Sequence, residues 1–530
     1  MNTAIIWYTN DLRVQDHSGL AEATRLHDRV IAYYCFDQAD YAPTPWGFRK
    51  TGEFRAQFIA EALVELAHAL AELGIELCYH QGDTAQGLAE LVAKNNAVRV
   101  YSQHHWMPEE KERIANCQKA CSVEWVFHHN SLLIEPDQLG FELKDLPWIF
   151  TEFRKKVERN LRIKSAQQPR KISEILPEIH PIPDLSSWGI KSVTQPAHSA
   201  FPFKGGCIAA RERLHHYTFE TQKVAWYKHT RNGMLGVDYS TKFSPYLALG
   251  CISPRTIYRT IKEFETQHIK NEDTYWVIFE LLWREFFAYT AMKYGSLFFN
   301  ATGIAQHPSP EVPQSIKNRT GNPWRSPKPI DTKGSWDQWI NGQTRVDFVN
   351  AHMLELAETG WMSNRGRQNV ASYLVHELGI DWRWGAAYFE SLLIDYDPCS
   401  NYGNWMYVAG VGNDPRARVF NMERQAASLK ASQESLNKDY RELQTKKNSM
   451  LKEMKATREQ RVKRLEDSKQ SLVGWIAYLM GNPDITRQYG IEMEKMRLAM
   501  KQEKERLGAF HKYSDGQIDQ PFLNSDTIKE

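Results

Sequence analysis

Most of the side chains whose types and spacing could do chemistry lie between residues 360 and 418. Arg365 and Arg367 are two positions apart, so on a helix they would point about 160° from each other, and one of them could meet a buried anion. In an extended loop, Asp395 and Asp397 could face one side and accept hydrogen bonds from ribose hydroxyls or a ring N–H. These residue types suit a polar, aromatic ligand, and a flavin would fit.

Two other kinds of site are compatible with the carboxylate pair, a glycosidase acid–base pair and a metal site. The neighbouring tryptophans favour neither. Trp382 and Trp405 flank the carboxylates, and Trp324 lies upstream. Indole rings spaced through a helical domain could relay an electron from the surface inward, while ordinary core packing is the competing explanation.

A second polar cluster precedes an apolar helix near residue 245. It contains Ser240, Thr241, Lys242 and Ser244. Hydroxyls, exposed backbone N–H groups and a lysine at a helix start could form a phosphate cradle. N-capping of the helix would explain one or two of these residues but not all four.

The aromatic-rich segment Thr274–Gly295 predicts a largely buried helix that nevertheless contains Glu280, Arg284 and Glu285. Buried charges need partners. They could form an internal ion-pair network, or one face of the helix could line a cavity. In the second case Glu280 would accept hydrogen bonds and Trp283 would offer a stacking surface to a base.

The elements that must position these residues begin with alternating strands and helices. Short β-branched or aromatic runs at residues 4–8, 29–36, 75–80 and 98–102 alternate with helical patterns such as Phe54–Gly74. This alternation predicts an α/β fold with a doubly wound parallel sheet and ligands near the carboxyl ends of its strands.

The first strand is followed by charged residues instead of a glycine-rich phosphate loop. Asp11, Arg13 and Asp16 could form a structural salt-bridged turn or contact a ligand directly, and the turn is favoured because charge pairs are common in loops. From Gly206 onward helix-length segments dominate.

The length, charge and composition of the whole chain limit the possible domain number, partners and location. The 530 residues predict two or three domains, and a formal net charge of +2 decides little about partners. Seven cysteines without a Cys-x-x-Cys pair argue against a disulfide framework or a zinc site. No segment approaches the ~20 apolar residues of a membrane span, so we expect a soluble, cytoplasmic protein.

Together these segments resemble the photolyase and cryptochrome family, and within it the cryptochrome DASH branch. The resemblance is carried by residues 5–20, 227–255 and 279–287, and most specifically by residues 359–372 and 393–416. It implies a blue-light flavoprotein with FAD as chromophore, in which an all-α FAD-binding domain follows the α/β domain.

The resemblance also implies roles for individual residues. One set matches positions that hold FAD in a folded form: Tyr227, Ser240, Thr241, Lys242, Phe243, Ser244, Asn364, Arg367, Asp395, Tyr396, Asp397 and Asn401. Asn401 matches the residue beside the flavin N5. A second set matches the three-tryptophan chain that photoreduces the flavin: Trp405, Trp382 and Trp324, with Trp336 as the rival for the surface member.

A third set matches the pocket that receives a flipped-out pyrimidine dimer: Arg231, Glu280, Trp283, Arg284, Asn364, Gln368 and Tyr407. The implied reaction is that of a carbon–carbon lyase. Excited, reduced FAD gives one electron to a cyclobutane dimer, two ring bonds break, and the electron returns. Glu280 would stabilise the dimer radical anion.

Two positions point to the kind of DNA that is bound. Gln368 and Tyr407 stand where duplex photolyases of the family usually carry Met and Trp. A smaller stacking surface recovers less of the cost of base flipping, which matters little when the strand is already single. The resemblance therefore implies DNA repair in single-stranded DNA. The alternative is a photoreceptor that signals through flavin photoreduction with little or no repair.

A second chromophore is left open. Glu109 lies near a folate-contacting acid of the family, which would suit a 5,10-methenyltetrahydrofolate antenna. The residues just before it do not match the DASH pattern, and Pro-Glu-Glu is also an ordinary first helical turn.

After Arg418 the sequence departs from the family ending, and a helical hairpin is predicted around residues 472–507. This extension could be a fused or frame-altered ending, a segment that binds a protein partner, or helices that pack on the flavin domain. An ending that leaves the flavin domain incomplete would remove both functions. We expect a monomer made of a photolyase-type α/β domain at 1–130, a linker at 131–205, a helical FAD-binding domain at 206–425, an atypical helical extension at 426–513 and a disordered tail at 514–530.

Overall fold

The computed structural model describes residues 2–159, 161–234, 236–305, 333–413 and 418–427, and short helical stretches between residues 430 and 469. The chain divides into two compact units, Met1–Gln425 and Ala426–Glu530. The sheet, the helices and the candidate site described below all belong to the first unit. The helical hairpin predicted for the tail lies outside the described residues.

The N-terminal part is built on five parallel strands in the order β3-β2-β1-β4-β5. The strands are β1 (Thr3–Trp7), β2 (Arg29–Asp37), β3 (Glu76–Gly82), β4 (Arg99–Gln103) and β5 (Glu124–His128). β1 is buried along its whole length, as expected for a parallel strand in the middle of a covered sheet. The four predicted strands are confirmed. β5 carries a weak sequence signal, because Glu124 and His128 bound an apolar run of only three residues.

Helices flank this sheet and make its crossover connections. They are α1 (Ser18–Leu26), α2 (Gln38–Tyr41), α3 (Glu53–Ala71), α4 (Thr84–Asn95) and α5 (Pro108–Ala120). The predicted helix at Phe54–Gly74 corresponds to α3, which buries Leu63, Leu66 and Leu70 on its inner face. The doubly wound α/β prediction is therefore confirmed. Strand order reverses between β1 and β4, and ligands bind such sheets beyond the carboxyl ends at that point.

The connection to the helical part is largely irregular, as its prolines predict. It contains α6 (Phe150–Glu158), and a single short 3₁₀ turn stands between residues 161 and 206. α6 buries Phe150, Phe153 and Val157 against the helical part, where Phe153 lies 5.4 Å from the Phe286 ring. The connection is thereby anchored on both parts of the unit.

The rest of the first unit is helical. In the described residues it contains α7 (Cys207–His215), α8 (Tyr227–Thr230), α9 (Ser244–Ala248), α10 (Pro254–Gln267), α11 (Glu272–Tyr294), α12 (Lys333–Ile340), α13 (Asp347–Thr359), α14 (Asn364–Ser372), α15 (Trp382–Leu392) and α16 (Pro398–Ala409). Asn271 and Thr274 cap the start of α11 reciprocally. None of the helices that the structure describes is long and apolar enough to cross a membrane. The cytoplasmic location and the monomeric state stay predictions.

A buried polar network joins the two parts at Asp16, just after β1. Its Oδ2 accepts hydrogen bonds from the Ser253 hydroxyl at 2.5 Å, from Arg259 at 3.0 Å and from Arg255 Nε at 3.1 Å. Burial alone would raise the pKa of Asp16, but Arg255, the Ser253 hydroxyl and Arg13 together lower it. The carboxylate is therefore held charged inside the interface.

Asp11, in the same segment after β1, also makes buried contacts that hold the fold together. It pairs with His17 at 2.9 Å and accepts a hydrogen bond from the Asn130 side chain at 2.9 Å. Burial would raise the pKa of Asp11, yet His17 and the hydrogen bonds lower it to about 2. Arg13 donates to backbone carbonyls on both sides of the interface. The predicted structural role of these residues is thus confirmed, but the two carboxylates pair with His17, Arg255 and Arg259 and not with Arg13.

Replacing Asp16 tests how much this network stabilises the unit. We expect Asp16→Asn to lower the free energy of unfolding by about 3–5 kcal/mol, because the buried Arg255 loses its closer charge partner and keeps only Glu135 at 3.5 Å. Since the folded pKa is lowered, this stabilisation is complete above the ordinary aspartate pKa of about 3.9 and is lost in more acidic solution. Urea denaturation at several pH values measures both effects.

The matched control is Glu152→Gln, which breaks an exposed ion pair with Lys155. Its effect should stay below about 1 kcal/mol. Equal losses in the two variants would contradict the interface role of Asp16.

Candidate functional site

The loop before α9 is held in place by one buried arginine, Arg213 of α7. Its guanidinium donates to the carbonyl oxygens of Ser240 at 2.9 Å and Thr241 at 3.0 Å, and pairs with Asp238 at 2.5 Å. Lys242 in this loop has a φ of 61°, a left-handed conformation that costs a non-glycine residue about 1–3 kcal/mol. Nothing in the sequence pattern points to Arg213, because its main partners are backbone carbonyls.

Lys242 is a buried cation without a hydrogen-bond acceptor. Its side chain is 1% exposed, and its Nζ has no hydrogen-bond partner among the described residues. The Nζ lies 3.4 Å from the ring centroid of Tyr239 and 4.6 Å from that of Trp361. Burial lowers the pKa of Lys242 well below its ordinary value, although the carboxyl of Glu355 opposes this. An ammonium held only by aromatic faces suits an anionic ligand.

A second buried group faces Lys242 from α14 and the loop before α16. Arg367 donates to Asp395 Oδ2 at 2.9 Å, and the Ser244 hydroxyl donates to the same oxygen at 2.7 Å. Ser244 therefore does not cap α9. Asp395 Oδ1 is buried and has no partner in the described residues, so it can accept from a ligand N–H or hydroxyl. Arg365 instead donates to Gln368 at 3.2 Å, as the predicted divergence of the two arginines requires.

The residues after Asp395 do not all turn toward one ligand. Asp397 Oδ1 accepts from the backbone N–H of Ser400 at 2.7 Å and so caps α16. The Tyr396 ring points into a different cavity, where the Arg55 guanidinium lies 4.9 Å from its centroid. The Tyr396 side chain thus lies apart from that of Asp395, because successive side chains of an extended segment point to opposite sides.

Four other predicted cofactor residues have different surroundings. Asn401 is buried on α16, and its amide donates to the Ala386 carbonyl at 2.9 Å. Tyr227 and Phe243 are buried. Asn364 is exposed at the first position of α14. Three of these side chains are thus buried in the helical part, whereas the Asn364 side chain is open to solvent.

The predicted substrate residues Arg231 and Glu280 form an ion pair between the end of α8 and the middle of α11. The Arg231 guanidinium also lies 5.5 Å from the ring centroid of Trp276. Burial raises the pKa of Glu280, while Arg231 opposes the rise. The pair is partly open to solvent and adjoins an aromatic surface, so it can exchange its internal contact for a polar ligand.

Trp283 and Tyr407 provide that aromatic surface. Trp283 stacks on Phe150 with ring centroids 3.7 Å apart, and Tyr407 meets it edge-on at 5.6 Å. The Tyr407 hydroxyl accepts a hydrogen bond from Arg418 at 3.0 Å. Both rings are thus fixed in orientation before any base arrives.

The next turn of α11 has a different role. Arg284 donates to the Ser131 carbonyl at 2.6 Å and lies 3.4 Å from Glu285. Glu285 accepts from the backbone N–H of Ile134, and burial raises its pKa to about 7. The structure thus places Arg284 in a contact with the interdomain connection and does not bring it to the Arg231–Glu280 pair.

The predicted electron-chain tryptophans are only partly described. Trp405 and Trp382 are buried, and a Cβ at Gly385 would collide with the Trp405 ring. Trp324 lies outside the described residues. Its rival Trp336 is 9% exposed and is not a surface residue. The absence of a side chain at Gly385 therefore fixes how closely the Trp405 ring approaches α15.

A cavity of about 190 Å³ lies where the strand order reverses. Residues that follow β1 and β4 line it, together with residues 390 and 396–399 of the helical part. Glu109 and Glu110 at the start of α5 also line it. The position agrees with the ligand-binding edge predicted for a doubly wound sheet.

The two glutamates in this cavity differ. Glu109 is paired with Lys50, whereas Glu110 Oε2 is buried and has no partner among the described residues. Burial raises the pKa of Glu110 to about 7 and lowers that of His105 to about 4. The cavity thus offers one carboxyl group that can change its charge near neutral pH.

Comparisons with known proteins give independent information on this arrangement. A family model described as DNA photolyase matches residues 4–173, and one described as FAD binding domain of DNA photolyase matches residues 276–517. The cryptochrome DASH of Gloeobacter violaceus is 42% identical over 80% of this chain and 82% of its own length. The cryptochrome DASH of Danio rerio is 42% identical over 80% of each chain.

The structural comparison agrees with these matches. The crystal structure of a Synechocystis sp. PCC6803 cryptochrome superimposes with a TM-score of 0.72 at 38% identity, covering 81% of this chain and 87% of that one. The α/β part followed by a helical part is therefore the arrangement of a known family.

Lys242→Met tests the anion site. Removing the uncompensated buried charge should raise the free energy of unfolding of flavin-free protein by about 1–3 kcal/mol, measured by urea denaturation. The same change should weaken FAD binding by about 10- to 100-fold, measured by titration of the flavin absorbance. The exposed Lys223→Met serves as the control and should change neither quantity.

The pH dependence follows from the lowered pKa of Lys242. In flavin-free protein the folded chain releases the Lys242 proton at a lower pH than the unfolded chain does, so stability should rise with pH up to the ordinary lysine value of about 10.4. The increase of the free energy of unfolding with pH should be smaller in Lys242→Met. Lower stability together with unchanged flavin affinity would show that Lys242 serves packing alone.

Proposed function

The chain belongs to the photolyase and cryptochrome family, and we propose that it is a blue-light-driven lyase that repairs cyclobutane pyrimidine dimers, preferentially in single-stranded DNA. The observation that carries this proposal is the group formed by Arg231, Glu280, Trp283 and Tyr407, which joins charge to an aromatic surface. Photoreduction of a flavin does not by itself require such a group. Recognition of two linked, polar bases flipped out of a DNA strand does.

FAD would be held by the side chains around Lys242. The buried ammonium suits the pyrophosphate, and the unpartnered Asp395 Oδ1 suits an N–H or hydroxyl of the cofactor. Arg367 and Ser244 both donate to Asp395 Oδ2 and so hold its carboxylate in one orientation. Bound and reduced, FAD supplies light-driven one-electron donation, which side chains do not supply. The orphaned cation and the orphaned acceptor therefore both support FAD as the occupant.

Glu280 is suited to hold the damaged bases. Burial raises its pKa, so once Arg231 is released the carboxyl takes up a proton more readily than an exposed glutamate does, and it can then donate a hydrogen bond to a dimer carbonyl oxygen where negative charge develops. Arg231, once released from Glu280, can pair with a phosphate of the flipped nucleotide. Trp283 is covered on one face by Phe150, so its exposed parts and Tyr407 would contact the bases.

The preference for single strands follows from the size of this aromatic surface. A tyrosine at position 407 offers less stacking area than an indole, and each stacked base contributes about 1–3 kcal/mol. In a duplex, that contribution must also offset unpairing and unstacking of the flipped bases. In a single strand this cost is already small, so Tyr407 suffices.

A blue-light photoreceptor with little or no repair is the second candidate. It is favoured by the division of the chain at Gln425, because Ala426–Glu530 forms a compact unit of its own. A separate unit could pass a light-induced change to a protein partner. The same assay distinguishes the two candidates.

The test is dimer loss from an irradiated oligonucleotide under blue light, with the protein fully reduced. We expect repair of the single strand to be at least about tenfold faster than repair of the duplex. Glu280→Ala should slow repair by roughly 10- to 100-fold, through loss of one charge-assisted hydrogen bond. The control is Glu272→Ala, at the exposed start of the helix that carries Glu280, which removes a surface ion pair with Lys228 of α8.

Normal flavin binding and photoreduction without dimer loss would overturn the repair proposal and support the photoreceptor. Equal rates on single strands and duplexes would overturn only the preference.

We further propose that the cavity at the sheet edge binds an antenna of the folate class. Its support is the position at the strand-order reversal and the free carboxyl oxygen of Glu110, which suits the N–H groups of a pterin ring. Lys50 already engages Glu109, so Glu110 replaces it as the leading contact.

Reconstitution with 5,10-methenyltetrahydrofolate tests this assignment. Fluorescence titration should show binding that Glu110→Ala weakens at least about tenfold, through loss of a hydrogen bond to a charged group. Glu90→Ala, on the exposed face of α4, is the control. Because the pKa of Glu110 is near 7, affinity should rise from about pH 6 to about pH 8 as the carboxylate forms. Absence of binding to the wild type would reject the antenna.

A further inference from the structure

A second series of tryptophans starts at Trp405. The ring of Trp405 lies 6.4 Å from Trp339, which lies 5.5 Å from Trp336. Trp336 lies 5.2 Å from Trp384, which in turn lies 6.2 Å from Trp46. Five indoles therefore form an unbroken series of ring contacts.

The series runs from the interior toward solvent. Trp339 is fully buried and Trp336 is 9% exposed, whereas Trp384 and Trp46 are half-buried. Trp46 belongs to the loop after α2, in the α/β part, and stacks on Phe48 at 6.1 Å. The series thus crosses from the helical part to the surface of the other part.

Trp382 belongs to a different branch. Its ring lies 6.2 Å from Tyr402, and its indole N–H donates to the Ala301 carbonyl at 2.9 Å. We propose that Trp339, Trp336, Trp384 and Trp46 form a second electron path to Trp405. The path rests on the proposed FAD site, to which Asn401, one helical turn before Trp405, is assigned.

In this path one electron passes from Trp405 to the light-excited flavin. One electron then moves from each ring to its inner neighbour, from Trp339 outward to Trp46. No bond forms or breaks, and the net change is one electron gained by the flavin and one lost by Trp46. A thiolate in solution returns one electron to the Trp46 cation radical and becomes a thiyl radical.

The surroundings favour tryptophan over tyrosine as the carrier. Tyr388 contacts both Trp336 and Trp339, at 5.9 Å and 5.8 Å. Oxidising a tyrosine requires a proton acceptor, but the Tyr388 hydroxyl donates only to the Ile340 carbonyl at 3.4 Å, and burial raises its pKa to about 12. An indole can lose an electron and keep its proton.

The order of the ring contacts places Trp46 at the outer end of the path among the described residues. The Trp384 indole N–H is buried and has no hydrogen-bond partner in the described residues. A cation radical at Trp384 therefore cannot lose its proton and passes the charge outward. Trp46 is the next ring in the series.

The test uses variants that close each branch separately. Trp382→Phe closes the predicted branch, Trp384→Phe closes the second, and the double variant closes both. Phenylalanine keeps an aromatic ring in each site and is harder to oxidise than indole. Trp125→Phe on β5 is the control, since Trp125 contacts Trp7 and Phe127 away from both branches.

The first measurement is the rate of flavin reduction under blue light with a thiol present. Trp382→Phe should keep at least about a tenth of the wild-type rate, and the double variant should lose at least a further tenfold, about 1.4 kcal/mol in activation free energy. An equal rate in Trp382→Phe and in the double variant would overturn the second path.

The second measurement does not depend on enzyme activity. After illumination in air without thiol, peptide mass spectrometry should find oxidised Trp46 in the wild type and in Trp382→Phe. Oxidised Trp46, the mark of this path, should be absent from Trp384→Phe. Its persistence there would overturn the path.

These outcomes separate the path from the proposed repair function. Loss of dimer repair with the Trp46 mark retained would reject repair alone. Loss of the mark with repair retained would reject the second path alone, and protein unable to bind FAD would reject both.

Discussion

A buried ammonium group without an acceptor costs folding free energy until an anion reaches it, and Lys242 imposes this condition on the whole helical part. Its neighbours limit the cost without removing it. The rings of Tyr239 and Trp361 each recover roughly 0.5–2 kcal/mol through cation–π contacts. Arg213 and Arg367, by contrast, have carboxylate partners of their own. The site is therefore built before a ligand arrives, and an anion that reached Lys242, such as the phosphate of the proposed FAD, would relieve a penalty that the fold already bears.

Helix α11 couples recognition to the assembly of the two parts. Glu280 and Trp283 face the proposed substrate surface, whereas Arg284 and Glu285 hold the connection at residues 131–134. Neighbouring residues on a helix point about 100° apart, so the single helix α11 contributes side chains both to the proposed substrate surface and to the contact with residues 131–134. A displacement of the connection would consequently rotate the substrate surface with it.

The accuracy of sequence-based inference differed among these features for physical reasons. Four strands and α11 could be predicted because their apolar and aromatic residues form strong local patterns. Residues 240–244 and 395 could be singled out because their polar side chains are clustered in loops. β5 was not predicted, because its apolar run is short. Arg213 could not be found, since its role depends on distant carbonyls. The surroundings of Arg284 and Tyr396 could not be predicted, because the contacts of adjacent residues depend on the exact rotation of the helix or strand.

The cavity at the sheet edge has walls from both parts of the unit, including Thr9 on one side and Glu390 on the other. Any molecule that fills it contacts both walls at once and favours the assembled state over the opened one by mass action. Its concentration in the cell would then set how often the interface opens to proteases. A pigment held there would govern the abundance of the protein as well as the light it collects.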